Sequence, residues 1–158
     1  MKALKIFVVG MALLVVSTNS MASGQNTTEI ISCSLPGKLS RKVSFSINNE
    51  TKSINYRFKK EGKLELTVLF NEGNRLRRLT DSKLGVTYYG FKRGGYSYVI
   101  DIINGTEGEE YAMSFDIKKN NKVIQSHDCL PNSFRSENIT SEYIKDIPYV
   151  NDNNFTFP

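Results

Sequence analysis

Apolar residues recur at every second position along much of this chain, which is the spacing of half-buried strands. In Lys42-Val43-Ser44-Phe45-Ser46-Ile47 polar and apolar positions alternate without a break, and Val43, Phe45 and Ile47 share one face. Asn48 to Thr51 supplies a turn, after which Ile54, Tyr56 and Phe58 resume the alternation. Glu61-Gly62 breaks the chain again before Leu64, Leu66 and Val68. Three such runs separated by short turns predict an antiparallel meander. Val86 to Phe91 is rich in aromatic residues and predicts a further strand. Gly94-Gly95 then turns the chain into Tyr96 to Ile103, whose β-branched and aromatic residues on both faces predict a central strand. Asn104-Gly105 is a turn dipeptide and leads into the acidic loop Glu107 to Glu110. Tyr111 to Ile117 and Val123 to Cys129 form a hairpin through Lys119-Asn120-Asn121-Lys122, because asparagine tolerates the positive φ that a two-residue turn requires.

Two stretches depart from this period. Asn71 to Thr80 holds Gly73 and the basic cluster Arg75, Arg77 and Arg78, and reads as a long exposed loop. From Leu130 to Pro158 the chain is rich in asparagine and serine, with Pro131, Pro148 and Pro158. There is room for one short helix between Ser136 and Ile147, with Ser136 or Asn138 as its N-cap. The expected fold is all-β, a single antiparallel sheet or sandwich domain. It comprises a β-domain over 23–130 and a polar C-terminal extension over 131–158.

The first residues change the picture from fold to destination. Lys2 and Lys5 precede an apolar run from Ile6 to Val16, and Ser20-Met21-Ala22 offers small residues at the two positions a signal peptidase inspects. The run is shorter than the ~20 residues a membrane span needs. Residues 1–22 therefore read as a cleavable signal, with a mature chain from Ser23, a periplasmic or secreted destination and no stable membrane anchor after cleavage. In an oxidising compartment the two cysteines, Cys33 and Cys129, read as a bridge. The signal carries away two lysines, so the net charge falls from +5 to +3. That is too little for a nucleic-acid binder.

Catalytic chemistry is sparsely supplied. His127 is the single histidine, so a structural zinc site lacks ligands and no metal or cofactor is expected. A Cys129–His127 nucleophile pair can be drawn on one strand face, but a bridged sulfur is not a thiolate. Asp101, Glu107, Glu109 and Glu110 are carboxylates for a glycosidase-like pair, and their place in a loop makes them ordinary solvated charge. Gly94-Gly95 lacks the strand-loop-helix setting of a phosphate cradle.

Recognition is better supplied. Arg75, Arg77 and Arg78 in the irregular stretch, and the aromatic group Tyr88, Tyr89, Phe91, Tyr96 and Tyr98, are residue types enriched at binding hot spots. The competing reading is that the tyrosines fill a core and the arginines are loop charge. The candidate partner-binding residues are Arg75, Arg77, Arg78, Tyr88, Tyr89 and Tyr96.

Tyr56-Arg57-Phe58, Lys63-Leu64-Glu65-Leu66, Gly95-Tyr96-Ser97-Tyr98-Val99 and Lys119-Asn120-Asn121-Lys122-Val123-Ile124 occur in an order that ends in Cys129. In this the chain resembles small exported, disulfide-closed β-sheet proteins of Gram-negative bacteria, mostly of unassigned function. The resemblance implies an antiparallel sheet fold and no catalytic residues. The acidic loop Glu107 to Glu110 and the long tail after Cys129 depart from it. The functional expectation is a non-enzymatic periplasmic binding protein. It would act as an immunity protein or inhibitor that blocks a toxin or a lysozyme-type cell-wall hydrolase. The alternative is an envelope structural or adhesion module that binds surface polymers.

Overall fold

The structure, a computed structural model, describes residues 26–105, 110–149 and 157–158. The signal segment 1–22 and the carboxylates Glu107 and Glu109 lie outside the described residues.

Among the described residues nine longer strands come first: β1 (Thr27–Leu35), β2 (Arg41–Asn48), β3 (Ile54–Lys60), β4 (Lys63–Phe70), β5 (Leu76–Asp81), β6 (Val86–Arg93), β7 (Tyr96–Asn104), β8 (Tyr111–Lys119) and β9 (Lys122–Asp128). Two short ones, β10 (Phe134–Arg135) and β11 (Ile144–Asp146), come from the polar C-terminal stretch. They form a five-stranded sheet in the order β10-β1-β2-β3-β4 and a six-stranded sheet in the order β11-β5-β6-β7-β8-β9. Every pairing is antiparallel except β11 on β5, which is parallel. Three hairpins turn on two residues with positive φ, the condition for a turn that matches the strand twist. These are Glu61-Gly62, Gly94-Gly95 and Asn120-Asn121.

The two sheets bury one layer of side chains between them. Val43 and Phe45 of β2, Ile54 and Tyr56 of β3 and Phe70 of β4 meet Leu76, Phe91, Ile100 and Phe115 of the other sheet. Aromatic rings carry the contact across the layers. Tyr56 stands edge-on to Phe45 and Phe91, at 5.1 and 4.8 Å between centroids, and Phe91 stacks on Tyr98 at 5.0 Å. Full burial of such a side chain is worth about 1.5–3 kcal/mol each, so this layer is where the fold gains most. Burial also pushes the Tyr56 hydroxyl well above the ordinary tyrosine range.

A disulfide ties the layers together. Cys33 of β1 and Cys129, just past β9, have Cα atoms 5.2 Å apart and are separated by 96 residues of chain. Closing a loop of that length is worth about 4–5 kcal/mol in the chain-entropy account. Such a bridge belongs to an oxidising, extracytoplasmic compartment. Past it the chain crosses to the five-stranded sheet. Leu130 N–H donates to Ser34 O at 2.8 Å, Ser34 N–H donates to Ser133 Oγ at 2.9 Å, and Ser136 N–H donates to Ile30 O at 2.8 Å.

Two expectations are corrected. The stretch Asn71 to Thr80 is not one long loop. Asn71 to Asn74 closes a tight turn, and Leu76 to Asp81 is strand β5. Apolar residues on both faces hide its period: Leu76 faces the main core and Leu79 a second cluster on the opposite side, with arginines between them. No helix forms over Ser136 to Ile147 either. The second half of that stretch, Tyr143 to Ile147, lies along β5 instead, with Leu76 N–H donating to Tyr143 O at 2.9 Å and Ile147 N–H to Arg78 O at 2.7 Å. The open edge of β5 offers backbone partners that an isolated short helix could not match. The boundary at residue 130 is thus one of composition, because the C-terminal stretch supplies an edge strand to each sheet.

Candidate interaction surface

The predicted arginines divide by the alternation of β5. Arg75, just before the strand, and Arg77 are exposed. Arg78 points to the other side, opposite Tyr89. Its Nε donates to Asp146 Oδ1 at 2.6 Å, one terminal nitrogen donates to Asp146 Oδ2 at 2.9 Å, and the other donates to Ile139 O at 2.9 Å. This two-pronged geometry is what a guanidinium does best. It holds the Arg78 pKa above its ordinary value and the Asp146 carboxyl below the usual range. Arg78 therefore serves the fold: it fastens β11 to β5. Of the three arginines, this one is neither in a loop nor free to meet a partner.

The tyrosines divide too. Tyr89 is buried in the main core beside Arg78, and burial raises its hydroxyl pKa. Phe91 and Tyr98 belong to the interlayer aromatic stack. Tyr96 sits at the β6–β7 turn, where the Lys119 ammonium lies 5.4 Å from its ring centre. Of the predicted tyrosines, Tyr88 shares a face with Arg77. The register pairs Arg77 with Gly90 and Leu79 with Tyr88, so both side chains stand on the outer face of the six-stranded sheet.

That face carries polar groups that sequence reasoning misplaces or misses. Tyr88 is registered with Asp101, Asp101 with Ser114, and Val99 with Asp116, while Lys118 lies across from Ser97. Asp101 is not a loop residue: it is in the middle of β7, half-buried, and accepts a hydrogen bond from Ser114 Oγ at 2.6 Å. Burial, together with the neighbouring Asp116, raises its pKa, against the opposing hydrogen bond from Ser114. Desolvation lowers the pKa of Lys118 on the same face, against the pull of Asp116 and Asp101. Burial also raises that of Tyr88, helped by Asp101 and Asp81. The period-two spacing Val99-Asp101-Ile103 and Ser114-Asp116-Lys118 is the signal that could have found this row.

The other chemical candidates are not brought together. The Cys129 sulfur is bonded to Cys33, so it offers His127 no thiolate. Glu110 lines an open cleft of about 830 Å³ beside the disulfide, with Asp128, Ile103, Met113 and Leu130; Asp101 does not line it. Among the described residues no group of three or more histidine, cysteine or carboxylate side chains is placed to hold a metal ion.

The outer face of the five-stranded sheet has a different character. Ser32, Ser44, Arg57 and Thr67 stand in one row, with Lys42 and Lys59 together along one side of it, and Lys42 pairs with Glu29 at 3.0 Å. The free side of β4 is capped by side chains: Thr67 O accepts from Arg93 at 2.6 Å and Leu69 O accepts from Asn74 Nδ2 at 3.1 Å. Occupied edge carbonyls discourage the addition of another strand there.

No family model, no curated protein and no solved structure matches this chain.

Proposed function

We propose that this protein is an exported, non-catalytic binding protein that works by occluding a protein partner, as an immunity protein or inhibitor of a periplasm-acting toxin or cell-wall hydrolase does. The observation that carries this reading is the outer face of the six-stranded sheet. There Arg77, Tyr88, Asp101 and Lys118 stand on adjacent strands of a sheet fixed to its neighbour by the Cys33–Cys129 bridge. A rigid support limits the ordering cost of association. Arginine and tyrosine on such a support are the groups that concentrate binding energy. An exposed guanidinium at Arg77 suits a carboxylate in a partner's cleft, where two parallel hydrogen bonds form.

The test is affinity capture from a periplasmic extract, with an activity assay of the captured protein. The proposal expects an enzyme or toxin whose activity falls to zero as the protein is added in equimolar amount.

A second reading has its own observation. The row Ser44-Arg57-Thr67, with Lys42 and Lys59 together along one side of it, suits an anionic surface polymer, as an envelope adhesion module would require. Salt-sensitive retention on an acidic polysaccharide, lost in Arg57→Glu, would favour it over occlusion of an enzyme.

A further inference from the structure

Positive charge is unevenly shared along the chain. Between Thr27 and Phe70, the segment that forms β1 to β4, eight lysines and arginines stand against four glutamates, a net +4. Residues 71–158 carry 11 basic and 12 acidic side chains, a net −1. The excess of cations therefore belongs to the four long strands of the five-stranded sheet.

Within that sheet the cations meet at one end. The last register positions of β2, β3 and β4 read Arg41-Lys60-Lys63 across the strands, and the row before them reads Lys42-Lys59-Leu64. Like charges directly opposite one another destabilise a sheet. Three such pairs fall here: Arg41 with Lys60, Lys60 with Lys63, and Lys42 with Lys59. Lys42 is paired with Glu29 at 3.0 Å, and Arg41 donates to the Pro36 carbonyl at 2.7 Å. Lys59, Lys60 and Lys63 form no ion pair among the described residues, neither with Glu61 and Glu65 of the same hairpin nor with any other carboxylate. The arrangement costs the fold and offers an outside anion a ready surface.

Two leucines stand out from the same end. Leu64 completes the row that holds Lys42 and Lys59 and is 53% exposed, and Leu39, in the loop between β1 and β2, is 41% exposed. Loop and hairpin are joined, because Glu61 N–H donates to Ser40 O at 2.7 Å. Both leucines therefore belong to one cationic tip.

We infer that this end of the five-stranded sheet is a peripheral docking surface for a bilayer of anionic phospholipid. The lysines lie among the headgroup phosphates, and Leu39 and Leu64 enter the acyl boundary. Each basic residue brought to an anionic membrane surface is worth roughly a fivefold factor in partitioning. An aliphatic side chain gains further by leaving water for the interface. A hydrated polysaccharide gives it no such gain, which separates lipid from the surface polymer considered above for a row that shares Lys42 and Lys59. The inference is independent of the occluding function. The outer faces of the two sheets lie on opposite sides of the interlayer core, so a protein seated by this tip keeps Arg77 on a separate surface.

The experiment measures co-sedimentation of the exported protein with vesicles of phosphatidylcholine alone, and with vesicles of phosphatidylcholine and phosphatidylglycerol in equal parts. Binding at least tenfold tighter to the anionic vesicles is expected, and it should fall away in high salt. Lys59→Gln with Lys63→Gln should weaken it at least tenfold. Lys83→Gln with Lys145→Gln, an equal loss of exposed charge elsewhere in the molecule, should change it less than about threefold. Leu64→Ser should weaken it severalfold with the charge intact. Removing like charges relieves the sheet, so the Lys59 and Lys63 pair of substitutions should melt no lower than wild type. If it does melt lower, Lys63→Gln alone takes its place, with an expected loss of about fivefold. No binding, equal binding to both kinds of vesicle, or equal losses from the two glutamine pairs would overturn the inference. Retention on polygalacturonate as tight as on anionic vesicles, and indifferent to Leu64→Ser, would overturn it in favour of a polysaccharide. A protein that fails these tests and still suppresses its captured target keeps the occluding function.

Discussion

Arg78 and Asp146, 68 residues apart in the chain, are joined side by side through two hydrogen bonds of 2.6 and 2.9 Å. This pair converts a polar, weakly apolar C-terminal stretch into a strand of the larger sheet. The same guanidinium takes up the Ile139 carbonyl, so three acceptors from the tail depend on it. Arg78→Ala is expected to lower stability by about 1–2 kcal/mol. That lies at the low end for hydrogen bonds to charged groups, because the Asp146 side chain is 68% exposed and solvent screens the pair. Arg75→Ala and Arg77→Ala should each stay within about 0.5 kcal/mol of wild type. Urea denaturation of the three single variants measures this; equal effects would deny Arg78 its role in the fold.

The pH dependence of this pair has a definite sign. Arg78 lowers the pKa of the Asp146 carboxyl in the folded protein, so its contribution to stability is present above the ordinary aspartate pKa, about 4. It is lost as the pH falls through the lowered value. The Arg78 Nε–H resonance should therefore be protected from exchange at neutral pH and lose protection in acid. Asp146→Asn should remove that transition. A resonance insensitive to pH across this range would mean the pair does not form.

Asp101 works in the opposite sense. Burial raises its folded pKa, so the contribution it makes is present at low pH and is lost as the pH rises through that raised value. Asp101→Asn, which keeps an acceptor for Ser114, should raise the melting temperature at pH 7 and leave it unchanged near pH 3. A lower melting temperature at pH 7 would show that the ionised carboxylate is held by more than Ser114.

Much of the fold was legible because strands such as β2, β3 and β8 each turn one face to the core, and a half-buried strand writes its period into the sequence. Val43, Phe45 and Ile47 illustrate it, as do the positive φ values at Asn120 and Asn121. The pattern failed where both faces are covered. In β5, Leu76 and Leu79 serve opposite clusters, and the cover over Leu79 includes Phe157 and Ile147, far away in the chain. No local period records such a contact. The site was less legible for the same reason. Arginine and tyrosine content marked a region, but only the register of β5 on β6 separates Arg77 and Tyr88, which share an outer face, from Arg78 and Tyr89, which do not.

The interlayer bridge should govern stability. Removing Cys33–Cys129 by Cys33→Ser with Cys129→Ser is expected to cost about 2–5 kcal/mol, since the loop it closes is nearly the whole described domain. Thiol labelling of the unreduced, denatured wild type should find no free cysteine, and urea curves with and without reductant should differ by that amount. Coincident curves would make the bridge incidental.

Export is checked separately by mass. The mature protein should begin at or near Ser23, and an intact Met1 in periplasmic material would contradict the signal reading.

On the proposed function, suppression of a partner by covering it depends on the face that bears Arg77. The most direct measurement is a titration of the captured enzyme or toxin with wild-type protein and with Arg77→Glu, each first shown to fold by circular dichroism. Wild type should suppress it stoichiometrically, and Arg77→Glu at least tenfold more weakly, the effect expected when a charged contact at an interface is reversed. Suppression of equal strength by both proteins, or a captured partner whose activity does not fall at all, would contradict the claim.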